Sequence, residues 1–249
     1  MFKSLCAAAI GLASIAFAPA AHAVPVDLEL QLLVDVSGSV NSSEFALQAQ
    51  GYADAFRSAE VQNAIAGGQI GSIAVQLVFW SGSSQQAIGV DWVQLSSAAD
   101  ANSFADAILA AGRPFRGGTQ ISSAIDFGAA QFANGFEGTR NVMDVSGDGR
   151  SNASRTAAAR DAALAGGIDT INGIAIGDEA VRQFYEDNVI GGIGAFVLLA
   201  STFEDFDAAI RQKLLVEISM GNEVPVPGAV VFLITGAAGI AGLRRRAAA

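Results

Sequence analysis

Between Val24 and Glu223, short apolar runs alternate with segments of helical period, and this alternation restricts the chain to one kind of architecture. A strand buried on both faces reads as a continuous apolar run, and the helix after it carries its apolar residues on one side only. The expected fold is therefore α/β. It is a doubly wound, mostly parallel six-stranded sheet with one antiparallel edge strand and helices on both faces.

Local signals place the elements. Leu28 to Val34 is the first strand and ends at Asp35. Asn41, three residues before Glu44, has the spacing of a capping box, and Phe45, Ala49, Tyr52 and Phe56 follow on one helical face. Ile70 to Trp80 and Ala87 to Leu95 are extended runs separated by Ser81-Gly82-Ser83-Ser84, a hairpin that supplies the antiparallel edge. Ser97 with Asp100 opens a helix carrying Phe104, Ile108 and Ala111, and a Gly-containing loop from Arg113 to Thr119 leads to a helix with Ile121, Ile125 and Phe132. Asn141 to Val145 is a short buried strand. Arg155 to Ala165 is an Ala-rich helix stopped by Gly166-Gly167, and Ile168 to Ile176 is the next strand. Asp178 caps a helix with Val181, Phe184 and Val189. Ala195 to Leu199 is the last strand, and Thr202 with Asp205 opens the closing helix through Phe203, Phe206, Ile210 and Leu214. Neither an internal repeat nor a linker interrupts this span, so 24–223 is one domain.

The ends differ from the body. Met1 to Ala23 has one positive charge at Lys3, an apolar run from Leu5 to Phe17, and Ala21-His22-Ala23 before Val24, the pattern of a cleaved secretory signal peptide. An uncleaved anchor is the alternative, although the run is short for spanning. Residues 224–249 begin with Val224-Pro225-Val226-Pro227, continue through an apolar stretch from Gly228 to Leu243, and finish with Arg244, Arg245 and Arg246. As a helix, that stretch reaches ~24 Å, slightly under the ~30 Å hydrocarbon core. The arginines after it favour the cytoplasmic side, which agrees with export of the residues before it.

The only Cys, Cys6, and the only His, His22, both lie in the leader. The mature domain would thus lack disulfides, thiol nucleophiles, Ser-His-Asp triads and His- or Cys-ligated zinc, and its chemistry must use oxygen. Without Lys3 and the three tail arginines, 10 of the 14 basic residues face all 24 acidic ones, a net charge of -14. That sign opposes nucleic acid and anionic lipid and favours divalent cations.

In an open α/β sheet, ligands bind beyond the carboxyl ends of the strands, where strand order reverses. Three loops offer oxygen donors there. They are Asp35-Val36-Ser37-Gly38-Ser39, Gly117-Gly118-Thr119, and Asp144-Val145-Ser146-Gly147-Asp148-Gly149. Carboxylates at Asp35 and Asp148 with nearby hydroxyls are the hard donors that Mg²⁺ or Mn²⁺ takes. An isolated D-x-S-x-S is also an ordinary turn in which Asp and Ser cap backbone groups. Asp144 to Arg155 starts like an EF-hand loop, but its twelfth residue is Arg155, not Glu. Trp80 and Trp92 lie on strand runs and are expected to pack in the core or hairpin. Arg113 and Arg116 form either a solvated rim or a partner-contacting pair.

D-x-S-x-S after the first strand, Thr after Gly-Gly, and Asp-Gly after a later strand together resemble the metal-ion-dependent adhesion site (MIDAS) of von Willebrand factor type A (vWA) domains. The resemblance covers nearly all of 28–219. Val142 to Gly149 with Phe79-Trp80-Ser81-Gly82 is similar to a secreted bacterial subgroup of unestablished function. It implies that Ser37, Ser39 and Thr119 contact the metal, while Asp35 and Asp148 act through water or as outer acceptors. The usual Thr-Asp-Gly is here Gly147-Asp148-Gly149. The tail is similar to PEP-CTERM sorting signals of the Val-Pro-Leu-Pro-Ala type, with Val and Gly at two of the positions, which implies an exosortase-type protease as a partner alongside signal peptidase. A permanent C-terminal anchor is the alternative.

The resemblance implies an exported, non-enzymatic adhesion module whose bound Mg²⁺ or Mn²⁺ accepts a carboxylate from an Asp or Glu of a protein ligand. The location would be secreted or cell-surface after tail processing, with the membrane touched only through the tail. Two other functions remain open. One is a Mg²⁺-dependent phosphotransfer enzyme using Asp35, although such sites place a second Asp where this chain has Ser37. The other is a structural matrix component with a vestigial metal site.

Overall fold

A computed structural model describes residues 23–220. Residues 1–22 of the expected leader and the whole expected tail, 224–249, lie outside the described residues. The central strand β2 (Leu28–Asp35) is buried along its whole length, so it must be flanked on both edges and covered on both faces. Its parallel neighbours are β3 (Ile73–Trp80) on one side and β6 (Asn141–Gly147) on the other. Beyond β3 lies antiparallel β4 (Gln86–Leu95), the expected edge hairpin. Beyond β6 lies β7 (Thr170–Ile176), which pairs with parallel β9 (Val197–Ala200) and with the two-residue antiparallel β8 (Gly191–Gly192). The seven-stranded sheet is thus the six expected strands plus β8. The chain runs outward from β2 through β3 and β4, then returns to the far side of β2 through β6. The strand order therefore reverses between β2 and β6.

Helices cover the two faces in separate groups. One face packs α1 (Ser42–Arg57), α2 (Ala59–Ala66), α3 (Ala98–Ala110) and α7 (Phe206–Ser219) against the sheet through Tyr52, Phe56, Val61, Phe104, Ile108, Phe206, Ile210 and Leu214. The other packs α4 (Ile121–Ala129), α5 (Ala153–Ala165) and α6 (Glu179–Asn188) through Ile121, Ile125, Ala159, Ala163, Val181 and Tyr185. Alternate strand residues feed the two cores, as the two-residue side-chain period requires: Leu32 and Val34 go to the first, Leu33 to the second.

The caps explain where the helices begin. Asn41 Oδ1 accepts from the backbone N–H groups of Ser43 and Glu44, and the Glu44 carboxylate accepts from the Asn41 N–H, which completes the expected capping box. The Ser97 and Asp178 side chains likewise accept backbone N–H groups at the starts of α3 and α6. Three features depart from the sequence expectations. Helix α2 was not anticipated; Ser58 ends α1 with its N–H and starts α2 with its hydroxyl, so two helices share one residue. The small parallel pair β1 (Val24–Val26) and β5 (Phe136–Gly138) was not anticipated either. Helix α7 begins at Phe206, four residues after Thr202, because Thr202 and Asp205 bond to each other in a turn ahead of it.

Candidate functional site

Strand β2 delivers Asp35 to the reversal point, where the carboxylate is fully buried. Oδ1 accepts the Ser37 backbone N–H at 2.7 Å, and Oδ2 is buried without a hydrogen-bond partner. Burial pushes this carboxyl up to about 7. Its bonds from Ser37 oppose that rise, and the nearby Asp148 charge adds to it. A row of oxygens runs from there to the surface: Ser37 Oγ lies 3.0 Å from Ser39 Oγ, and Ser39 Oγ donates to Asp148 Oδ1 at 2.7 Å. Asp148, half-buried, is also raised, chiefly by burial, with its bond from Ser39 acting against the rise.

The loop before α4 is fastened to this row. Gly38 donates its N–H to Gly117 O at 2.7 Å, and a Cβ on Gly38 would meet that oxygen at 3.2 Å, so the two loops approach as only a glycine permits comfortably. One Arg113 Nη2 donates to both Val36 O and Ser37 O, at 2.7 and 2.6 Å, and Arg116 donates to Val40 O at 3.4 Å. Ser81 Oγ donates to Gly118 O, and Ser81 O accepts from the Gln120 N–H. Thr119 ends up against the third loop: a Cβ on Gly149 would lie 3.4 Å from Thr119 Oγ1. The structure therefore brings Asp35, Ser37, Ser39 and Asp148 into one connected row and sets Thr119 beside Gly149.

Asp144 does not belong to this group. It is fully buried beside Lys213, so no EF-hand loop forms there. Trp80 is buried in the core, and Trp92 packs on Phe132 and donates its indole N–H to Gln131 O. Arg113, half-buried, braces two backbone carbonyls of the first loop with its guanidinium.

Two residues near the site escaped the sequence reading. Gln48 donates to Asp35 O from α1. Tyr185, fully buried on α6 beside Phe184, which packs at the edge of the same core, brings its hydroxyl against Gly147 with no hydrogen-bond partner. Burial first, then the Asp35 and Asp148 charges, hold its phenol well above its usual range. A Cβ at residue 147 would lie 2.6 Å from Tyr185 Oη and 2.8 Å from Asp35 Oδ2. That crowding is the physical reason this loop carries Gly147 where a Thr is usual. Only the helix-period position of Tyr185, four residues after Val181, could have signalled it.

The donor set fits a hard divalent cation. A buried carboxylate, Asp35, and a half-buried one, Asp148, stand at the ends of a row of neutral hydroxyls, and one Asp35 oxygen lacks any partner. Among the described residues no group of three or more His, Cys, Asp or Glu could hold a metal, so hydroxyl oxygens would have to complete any shell. Beside Asp148 opens a cavity of about 590 Å³ lined by Gly149, Arg150, Ser151, Asp178 and Phe184.

Solved structures share this fold. Proximal thread matrix protein 1 from the mussel byssus, in a form described as having a zinc-occupied MIDAS motif, superposes with a TM-score of 0.60 at 19% identity, covering 80% of this chain and 49% of its own. The pilus adhesin SpaC from Lactobacillus rhamnosus GG gives 0.59 at 17% identity over 79% of this chain and 31% of its own. A von Willebrand factor type A protein from Catenulispora acidiphila gives 0.54 at 14% identity over 78% and 43%. The chain thus spans half or less of the length of these proteins, and the likeness establishes the vWA fold. A search of curated proteins finds no match by sequence. Residues 25–222 match the family described as "Protein of unknown function (DUF1194)", and the chain belongs to that family.

Proposed function

We propose that this domain is an exported, metal-ion-dependent binding module that captures a carboxylate of a protein partner. The observation that carries the reading is the oxygen row from Asp35 through Ser37 and Ser39 to Asp148, with Asp35 Oδ2 buried and unpartnered at the strand-order reversal. In this reading Ser37, Ser39, Thr119, Asp35 and Asp148 hold Mg²⁺ or Mn²⁺. A divalent ion held partly by neutral hydroxyls retains positive charge to offer an incoming Asp or Glu. The chain's own residues supply the rest. Arg113 fixes the first loop through two carbonyls, Gly38 and Gly117 lock two loops together, and Tyr185 closes the inner side at Gly147. The zinc-occupied MIDAS described for the mussel protein supports a divalent ion in this fold.

A phosphotransfer role is less well supported by the same site. The position two residues after Asp35 is Ser37, and the only lysine among the described residues, Lys213, is fully buried against Asp144 and Glu217. Export through the leader, and tail processing by an exosortase-type protease, belong to the same proposal. They would present the domain at the cell surface or release it.

Calorimetric titration of the exported protein with Mg²⁺ and Mn²⁺ tests the metal, and capture of exoproteome partners with and without EDTA tests its use. Binding that Asp35→Ala abolishes, with capture lost in EDTA, is the expected result. Absence of binding by either ion would refute the reading. Mass spectrometry of the exported chain showing residues 224–249 intact would refute tail cleavage alone.

A further inference from the structure

The chain contains two lysines against twelve arginines, and Lys213 is the only lysine among the described residues. It lies where a basic side chain is hardest to accommodate, fully buried between helix α7 and strand β6. Its Nζ lies 2.8 Å from Asp144 Oδ1 and donates to Glu217 Oε1, one helical turn further on. All three side chains have no exposure to solvent. Asn172 Nδ2 donates to the same Glu217 oxygen at 2.7 Å, and the Phe196 ring lies 5.6 Å below Nζ. Asp144 Oδ2 and Glu217 Oε2 have no hydrogen-bond partner. One ammonium thus faces two carboxyls in a dry site, with polar atoms left over. Burial raises both carboxyls, Glu217 to about 7, and the Lys213 charge opposes the rise in each.

An arginine would satisfy a buried ion pair better, since its fork can bond both carboxylates at once. Lysine offers what arginine lacks, an amine that can lose its proton and act as a nucleophile. We propose that Lys213 and Asp144 condense into an intramolecular isopeptide bond, with Glu217 transferring the proton. Glu217 takes a proton from the Lys213 ammonium, and the freed Nζ lone pair attacks Asp144 Cγ. The Nζ–Cγ bond forms. The Cγ–O bond then breaks, and the oxygen leaves as water carrying two of the three ammonium protons, the first returned by Glu217 and the second passed from the attacking nitrogen through Glu217, while the third stays on the amide nitrogen. Nothing is oxidised or reduced, and no further reactant is required. The product removes one buried ion pair and leaves a neutral amide beside Glu217 and Asn172. It also ties the last helix to the strand that ends at the Asp148 loop, in a domain whose described residues contain no cysteine for a disulfide.

The test is a tryptic map of the folded full-length protein, compared with Asp144→Ala and Glu217→Gln. The expected result is a joined species containing 141–150 and a peptide that starts at residue 212 and is not cut after Lys213, one water lighter than the two parts. Asp144→Ala abolishes the joined species, and Glu217→Gln, which keeps both reacting groups, abolishes or greatly slows its formation. On a denaturing gel the wild-type chain runs faster than Asp144→Ala, because it contains a closed loop. Complete cleavage after Lys213 in the folded wild-type protein overturns the proposal, whatever the variants do. Loss of water confined to 141–150 with cleavage after Lys213 also overturns it, since that is cyclisation at Asp148-Gly149. A joined species lacking ammonia and containing Asn172 overturns the choice of Asp144.

Discussion

Asp35→Asn should stabilise the metal-free domain while abolishing its affinity for metal. The wild-type carboxyl titrates near 7 in the fold and at 3.8 in an ordinary peptide. Between those values the folded chain holds a proton that the unfolded chain has released. Folding stability of the metal-free protein therefore falls as pH rises across that window, and stays at the lower value above it. A difference of roughly three units at about 1.36 kcal/mol each amounts to about 4 kcal/mol at full expression. Asparagine keeps an oxygen for the Ser37 N–H and cannot ionise, so it escapes this cost. Its Nδ2 occupies the place of the unpartnered Oδ2 near the Tyr185 hydroxyl. Asp144 and Glu217 are also raised by burial and contribute their own pH dependence, so the informative quantity is the difference between the two proteins at each pH. Urea unfolding in EDTA from about pH 5 to about pH 8 should show the Asn variant gaining on wild type by ~3 kcal/mol across that range, the remainder of the ~4 kcal/mol being already present at about pH 5. Excess Mg²⁺ should raise wild-type stability and leave the variant unchanged. A difference that does not vary with pH, or a wild type that is the more stable at about pH 8 in EDTA, would refute the assignment of the burial cost to Asp35.

Other perturbations follow from the same geometry. Gly147→Ala places a methyl group against Tyr185 Oη and Asp35 Oδ2, and should cost ~1–3 kcal/mol in thermal or urea unfolding and weaken Mg²⁺ binding, with Tyr185→Phe restoring part of the stability. Arg113→Ala removes two charge-assisted hydrogen bonds to the first loop and should cost roughly 2–3 kcal/mol, with Mg²⁺ affinity by calorimetry falling although no proposed ligand is altered. In wild type, Mg²⁺ at 100-fold its Kd should add about 2.7 kcal/mol to the unfolding free energy, and Ser39→Ala should require more metal for the same gain. Asn41→Ala removes the cap of α1 and should cost ~1 kcal/mol without changing metal affinity, which separates stability from the site.

Much of this architecture was legible because the signals were local. The capping box at Asn41 and Glu44, the hairpin around Ser81-Gly82 and the apolar run ending at Asp35 each reside within a few residues, and each formed as its chemistry dictates. The grouping of Asp35, Ser37 and Ser39 was legible for the same reason. What escaped was set by contacts distant in sequence. Ser58 ends one helix and starts another, which periodicity alone reads as continuation or loop. Tyr185 reaches Gly147 across the fold, and Lys213 meets Asp144 from a helix 69 residues further along, on the face that periodicity marks as apolar. Arg113 likewise looked like surface charge because its acceptors, Val36 O and Ser37 O, are backbone atoms that no side-chain pattern announces.

Crystals of the domain grown with Mn²⁺ and measured for anomalous scattering would address the binding proposal at its source. The account predicts one strong peak bounded by Asp35, Ser37, Ser39, Thr119 and Asp148. Density there that holds only water, or a manganese peak elsewhere on the domain, would contradict it.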